Sequence, residues 1–129
     1  MVEISTSILN VEKSNAMKAF YGLEVAHTDY FHIDVMDGKF VPKNTVEIMK
    51  EYANSIKQMS NIPLDVHLMV EDVKAFIDDY IGLEPNIITF HLEAAKSKEE
   101  VMKFINYIKE NNIKVRNICK TKYKNRRGI

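Results

Sequence analysis

Two short segments set metal-binding side-chain types at alternate positions: His32-Ile33-Asp34-Val35-Met36-Asp37-Gly38 and Asp65-Val66-His67-Leu68-Met69-Val70. Successive side chains of an extended strand point to opposite faces, so His32, Asp34 and Met36 share one face, as do Asp65, His67 and Met69. Ile33, Val35, Val66 and Leu68 take the other face. Two imidazoles and a carboxylate on neighbouring strands can converge on one divalent ion. An ion also satisfies an Asp34 carboxylate that would be costly to bury unpaired. The single Cys119 argues against a cysteine-built site and allows no internal disulfide, so nitrogen and oxygen are the expected donors. Met36 and Met69 lie on the ligand face and are expected to wall the site rather than fill a core. His91 taken alone reads as a hydrogen-bonded bracing residue, and His27, beside Thr28 and Asp29, as a surface residue.

Apolar periodicity supplies the elements that must hold these groups. Strands are predicted over residues 3–9, 30–36, 63–69 and 86–92 and again from residue 113, with helices over 11–25, 45–59, 73–81 and 101–108. Four βα units in succession imply a parallel sheet, in which ligands bind beyond the carboxyl ends of the strands. Ser7, His32, Asp34, His67 and His91 all fall in the later parts of their strands. A doubly wound sheet buries both strand faces in apolar packing, so inward His and Asp residues favour a closed barrel with a site at its mouth. Gly22-Leu23-Glu24 and Gly82-Leu83-Glu84, each ahead of a His-bearing strand, hint at a repeated unit.

The 129 residues, 46% hydrophobic and 28% charged, suit one soluble globular domain. No membrane span or secretory leader is visible, which makes a cytoplasmic location the default expectation. The net charge of zero hides an asymmetry. Residues 114–129 carry seven basic and no acidic side chains, leaving an acidic body ahead of a basic tail. Such a tail can bind nucleic acid, but a shifted reading frame accounts for it better.

Ser7-Ile8-Leu9-Asn10, the run from His32 to Pro42, Asp65 to Val70, and Thr89-Phe90-His91-Leu92-Glu93-Ala94 together resemble the ribulose-phosphate 3-epimerase family, in order and in spacing, over about residues 4–115. The resemblance implies the N-terminal half of a (β/α)8 barrel, four βα units plus a fifth strand. The implied reaction is epimerisation at C3 of ribulose 5-phosphate to xylulose 5-phosphate through an enediolate. It further implies that His32, Asp34 and His67 bind one divalent metal, with zinc, iron(II) or manganese all suited to such donors, and that Asp34 doubles as an acid/base. Ser7, Met36, Met69 and His91 are implied at the substrate. The implied partner is a ketose phosphate, with no nucleic acid or membrane and a homo-oligomer for the full-length family. An allulose 6-phosphate epimerase would use the same motifs, and a non-catalytic interaction module is the reading from another class.

The family's second acid/base, an Asp on strand seven, and its phosphate grip after strands seven and eight are not found in these residues. A barrel of this kind typically takes about 250 residues, and half of one leaves two open sheet edges that predict poor stability or dependence on assembly. His27-Thr28-Asp29 replaces the family's Gly-Ala-Asp, which sets a non-glycine where a helix exit favours a left-handed residue. Residues 1–115 are thus expected as a partial barrel and 116–129 as an out-of-frame tail. Codons exist for Arg116 to Gly128 that, read one base later, give Gly-Ile-Ser-Val-Lys-Pro-Asn-Thr, the continuation an epimerase should have. Sequencing the gene is expected to find that continuation in the adjacent frame, whether the shift is genuine or a sequencing error; an in-frame stop after Ile129 without it would overturn the frameshift.

Overall fold

Strand and helix alternate through β1 (Ser5–Ser7), α1 (Ala16–Val25), β2 (Tyr30–Met36), α2 (Val46–Met59), β3 (Leu64–Met69), α3 (Val73–Ile81), β4 (Ile87–His91), α4 (Lys98–Glu110) and β5 (Lys114–Ile118) in a computed structural model that describes residues 2–118. The strands form one parallel sheet whose spatial order follows the chain, β1-β2-β3-β4-β5. A doubly wound sheet would reverse its order midway, whereas an unbroken progression is the arc of a (β/α)8 barrel. The fold is the N-terminal part of such a barrel, as the alternation of elements predicts. Its open edges among the described strands are β1 and β5.

The two faces of the sheet differ in chemistry. Ile33, Val35, Val66, Leu68, Ile88 and Phe90 are fully buried and join the apolar sides of all four helices in one core. Phe20 of α1 is fully buried within it, meeting Phe31 and Tyr52 edge-on at 6.1 and 5.3 Å. The opposite face carries His32, Asp34, Asp65, His67, Thr89 and His91. Among the described residues no helix covers that side, so polar groups there escape the cost of facing an apolar core.

Several element boundaries differ from those expected. β1 is confined to Ser5 to Ser7, whose ladder partners are Tyr30 to His32 of β2, with Ile4 and Ile8 adding backbone bonds to β2 at its two ends. A 3₁₀ turn, Lys13–Asn15, precedes α1, so the first helix starts later than its apolar spacing suggests. α4 is longer than expected at both ends. Ser97 caps it by accepting from the Glu100 amide at 3.1 Å, and the charged first turn that follows has no apolar period to reveal it. β4 ends at His91, and Leu92–Ala94 turn into a second 3₁₀ segment. Gly22 lies inside α1 while Gly82 caps α3, so the two Gly-Leu-Glu segments are not equivalent positions.

His27 does adopt the left-handed conformation expected of it, with φ of 59°, and Glu84 and Asn112 do the same after α3 and α4, at 49° and 62°. β5 takes in Arg116, Asn117 and Ile118, paired with Thr89, Phe90 and His91. The rest of the basic tail, from Cys119, lies outside the described residues. No helix among the described residues is long and apolar enough to cross a membrane.

Phe20→Ala is expected to lower the unfolding free energy by about 3–5 kcal/mol, because it empties the centre of the α1–β2–α2 packing. Tyr21→Ala, at a side chain 56% exposed, should change it by less than about 0.5 kcal/mol. Urea denaturation of both variants checks the contrast, and equal losses would show that the core is centred elsewhere.

Candidate metal centre

Parallel pairing of β2 with β3 sets His32 opposite Asp65, Asp34 opposite His67 and Met36 opposite Met69. These pairs stack in three steps toward the carboxyl end of the sheet, with the methionines outermost. One oxygen of Asp34 is the meeting point. Asp34 Oδ1 lies 3.0 Å from His32 Nε2 and 3.2 Å from His67 Nδ1. Ligand atoms of His32, Asp34 and His67 all lie within 4.8 Å of one another. Two imidazole nitrogens and a carboxylate oxygen at that separation, on neighbouring rigid strands, suit a divalent first-row metal ion.

The other polar atoms of the cluster hold these three in place. Ser7 Oγ donates to Asp34 Oδ2 at 3.0 Å, reaching across from β1. His32 turns its second nitrogen, Nδ1, to Asp65 Oδ2 at 2.9 Å, and Ser5 Oγ donates to the same oxygen at 2.8 Å. His67 turns its second nitrogen to Nε2 of His91 at 2.9 Å, with the two rings stacked 5.0 Å apart. Phe40 covers the far side of His91 at 5.4 Å. Each candidate ligand therefore has one atom facing the centre and another engaged behind it.

Burial and charge act against each other here, and charge prevails. Burial disfavours a charged His32, but hydrogen bonds to Asp34 and Asp65, with their negative charges, raise its pKa to about 9. Burial pushes Asp34 up, yet hydrogen bonds from His32, His67 and Ser7 hold it well below the usual carboxylate range. Asp65 is likewise held down against burial, chiefly by His32 and Ser5.

Sequence reasoning brought together His32, Asp34 and His67, and the structure places them in one cluster. Ser7 and His91 adjoin it as direct hydrogen-bond partners. Met36 and Met69 are half-buried at the strand ends beyond it. Three contributors were missed. Asp65 was noted on the ligand face, but its bond to His32 depends on strand register. Thr45 is buried, and its hydroxyl donates to the Asp34 carbonyl at 2.7 Å and accepts from the Met36 amide at 3.0 Å, clamping the strand that bears the ligands. Asp37 accepts from the amides of Lys39 and Phe40 at 2.8 and 2.7 Å and, with its other oxygen, from the Glu71 amide at 2.8 Å. It thereby ties the loop after β2 to the loop after β3. Gly38, at φ of 78°, makes that turn possible. The Asp-Gly pair after a strand was the available signal for the turn.

A model of the ribulose-phosphate 3-epimerase family matches residues 3–124. A ribulose-phosphate 3-epimerase of Methanocaldococcus jannaschii is 38% identical over 96 residues, which cover 74% of this chain and 39% of that protein. The enzyme of that name from Helicobacter pylori is 35% identical over 104 residues, 81% of this chain and 46% of its own. That of Bacillus subtilis is 31% identical over 114 residues, 88% of this chain and 50% of its own. The chain spans half or less of the length of these relatives.

In the metal-free protein, the stability that His32 contributes is fully present below the ordinary imidazole value of 6.5 and is lost as pH rises through about 9. The Asp34 contribution has the opposite sign, present above 3.8 and lost as pH falls through its depressed value. Melting temperature measured against pH should therefore fall on the alkaline side between 6.5 and about 9. Asp34→Asn should flatten that limb, and an unchanged limb would show that His32 is not held by Asp34.

Proposed function

We propose that this chain, which belongs to the ribulose-phosphate 3-epimerase family, carries the metal-holding half of a site that inverts C3 of ribulose 5-phosphate. The convergence of His32, Asp34 and His67 on one point at the carboxyl end of the sheet is the observation that supports this most. Their donor chemistry fits zinc, iron(II) or manganese. When bound, such an ion would supply Lewis-acid stabilisation of the negative charge that develops on the ketone oxygen.

The residues themselves account for one half of the proton chemistry. Asp34 is ionised at neutral pH, the form that a proton acceptor must have. In the proposed reaction it removes the C3 proton of the substrate, and the electron pair of that C–H bond moves into the enediolate. Inversion requires a proton returned to the opposite face, a role that the family resemblance gives to an Asp on a seventh strand. Ser7 orients Asp34 through its second oxygen, so the carboxylate keeps one geometry while it changes protonation. Met36 and Met69 offer uncharged, polarisable walls at the strand ends, next to where a sugar phosphate would lie. His91 is read as a rim residue that also steadies His67.

The test compares the purified 129-residue chain with a version whose reading frame is restored after Val115, both assayed for conversion of ribulose 5-phosphate to xylulose 5-phosphate. Turnover is expected in the restored version alone, and Asp34→Asn in that background should reduce it by roughly 10²–10⁴-fold. Robust turnover by the short chain, or an Asp34→Asn variant as active as its parent, would overturn the proposal.

A further inference from the structure

Building on the metal site proposed above, we propose that Asp65 is a positioning residue: it holds the Nδ1–H of His32 and so keeps Nε2 of that ring turned toward Asp34 and His67. An imidazole has two nitrogens, and only one can face the centre. Nε2 of His32 faces it, 3.0 Å from Asp34 Oδ1, while Nδ1 lies 2.9 Å from Asp65 Oδ2 on the far side of the ring. With Nδ1–H held by a carboxylate, Nε2 is the nitrogen that gives up its proton when a cation binds. Removal of that acceptor frees the ring to exchange tautomers and to turn.

Three features separate Asp65 from an incidental ion-pair partner. The Cα register places it directly across from His32, so backbone pairing sets their separation rather than a flexible side chain. Ser5 of β1 donates to the same oxygen at 2.8 Å, which fixes the carboxylate from a third strand. The residue is 3% exposed, and its other oxygen, Oδ1, is buried without a hydrogen-bond partner among the described residues. A carboxylate buried with one oxygen unsatisfied is a poor choice for stability alone, because an apolar side chain of similar size avoids the desolvation cost. Its use is understandable if the His32 orientation is what must be kept.

The two imidazoles are braced unequally. His32 is backed by a carboxylate and His67 by another imidazole, His91. A carboxylate behind an imidazole increases its basicity as a ligand. His32 is accordingly the stronger nitrogen donor of the pair, and the loss of Asp65 weakens metal binding without removing any ligand.

The experiment titrates the full chain with zinc against a competing chromophoric chelator, for wild type, Asp65→Asn and Ser5→Ala, with circular dichroism and melting temperature recorded for each. Nitrogen-15 correlation spectra of the zinc-loaded samples report which ring nitrogen of His32 binds metal and whether its N–H is protected from exchange. Asp65→Asn is expected to weaken zinc binding by roughly 10–100-fold with its secondary structure retained, and to expose the His32 Nδ1–H to exchange. Ser5→Ala, which leaves the charge but removes its anchor, should shift both readouts in the same direction and by less. It carries the test if Asp65→Asn fails to fold. Wild-type zinc binding with affinity and ring spectrum unchanged in the variants would overturn the role of Asp65 alone. Absence of zinc binding by the wild-type chain would overturn the metal centre itself, and this role with it.

Discussion

The register between β2 and β3 is the constraint on which the rest depends. Side chains alternate with a period of two, so a slip of one residue would turn Ile33 and Val35 toward the site and bury His32 and Asp34 against the helices. The observed pairing prevents this from both sides. Ile33, Val35, Val66 and Leu68 gain full burial in the core, while Asp34 gains His67 and His32 gains Asp65 across the strand gap. Apolar packing on one face and charge pairing on the other select the same register, and Thr45 holds the ligand-bearing strand itself by bonding to the backbone of Asp34 and Met36.

A cost accompanies this arrangement. Two carboxylates and three imidazoles are packed into largely buried space, and each charge is tolerated only because another is close. His32 bonded to Asp34 and Asp65 is the clearest instance, since both its ring nitrogens face anions. Such a cluster contributes less to stability than aliphatic packing would, and its pKa values are coupled to its own integrity. The apolar core on the outer face of the sheet compensates by ordering the strands from behind.

Much of this was legible along the chain. His32, Asp34 and His67 could be grouped from their alternation alone, because strand geometry is local. The bounds of β2 and α3 followed from apolar periodicity, and the left-handed His27 from its position at a helix exit. The beginning of α4 did not follow, since Ser97 and a charged first turn carry no apolar signal. The short β1 was also hidden, because its ladder covers only Tyr30 to His32 of the longer β2, an outcome of tertiary pairing rather than of its own propensity.

Sequence by itself determined which side chains share a face, the order of strands and helices, and the family to which those motifs point. These properties follow from backbone periodicity and from residue types at short range. Tertiary structure alone decided which nitrogen of each imidazole faces the centre, that Asp65 and Ser5 stand behind His32, that His91 stands behind His67, and that Asp37 ties two loops together. Those contacts join residues 24 to 60 positions apart, apart from the local turn of Asp37. Their geometry is set by the parallel register and by the competition between desolvation and charge pairing, neither of which has a local signature in the chain.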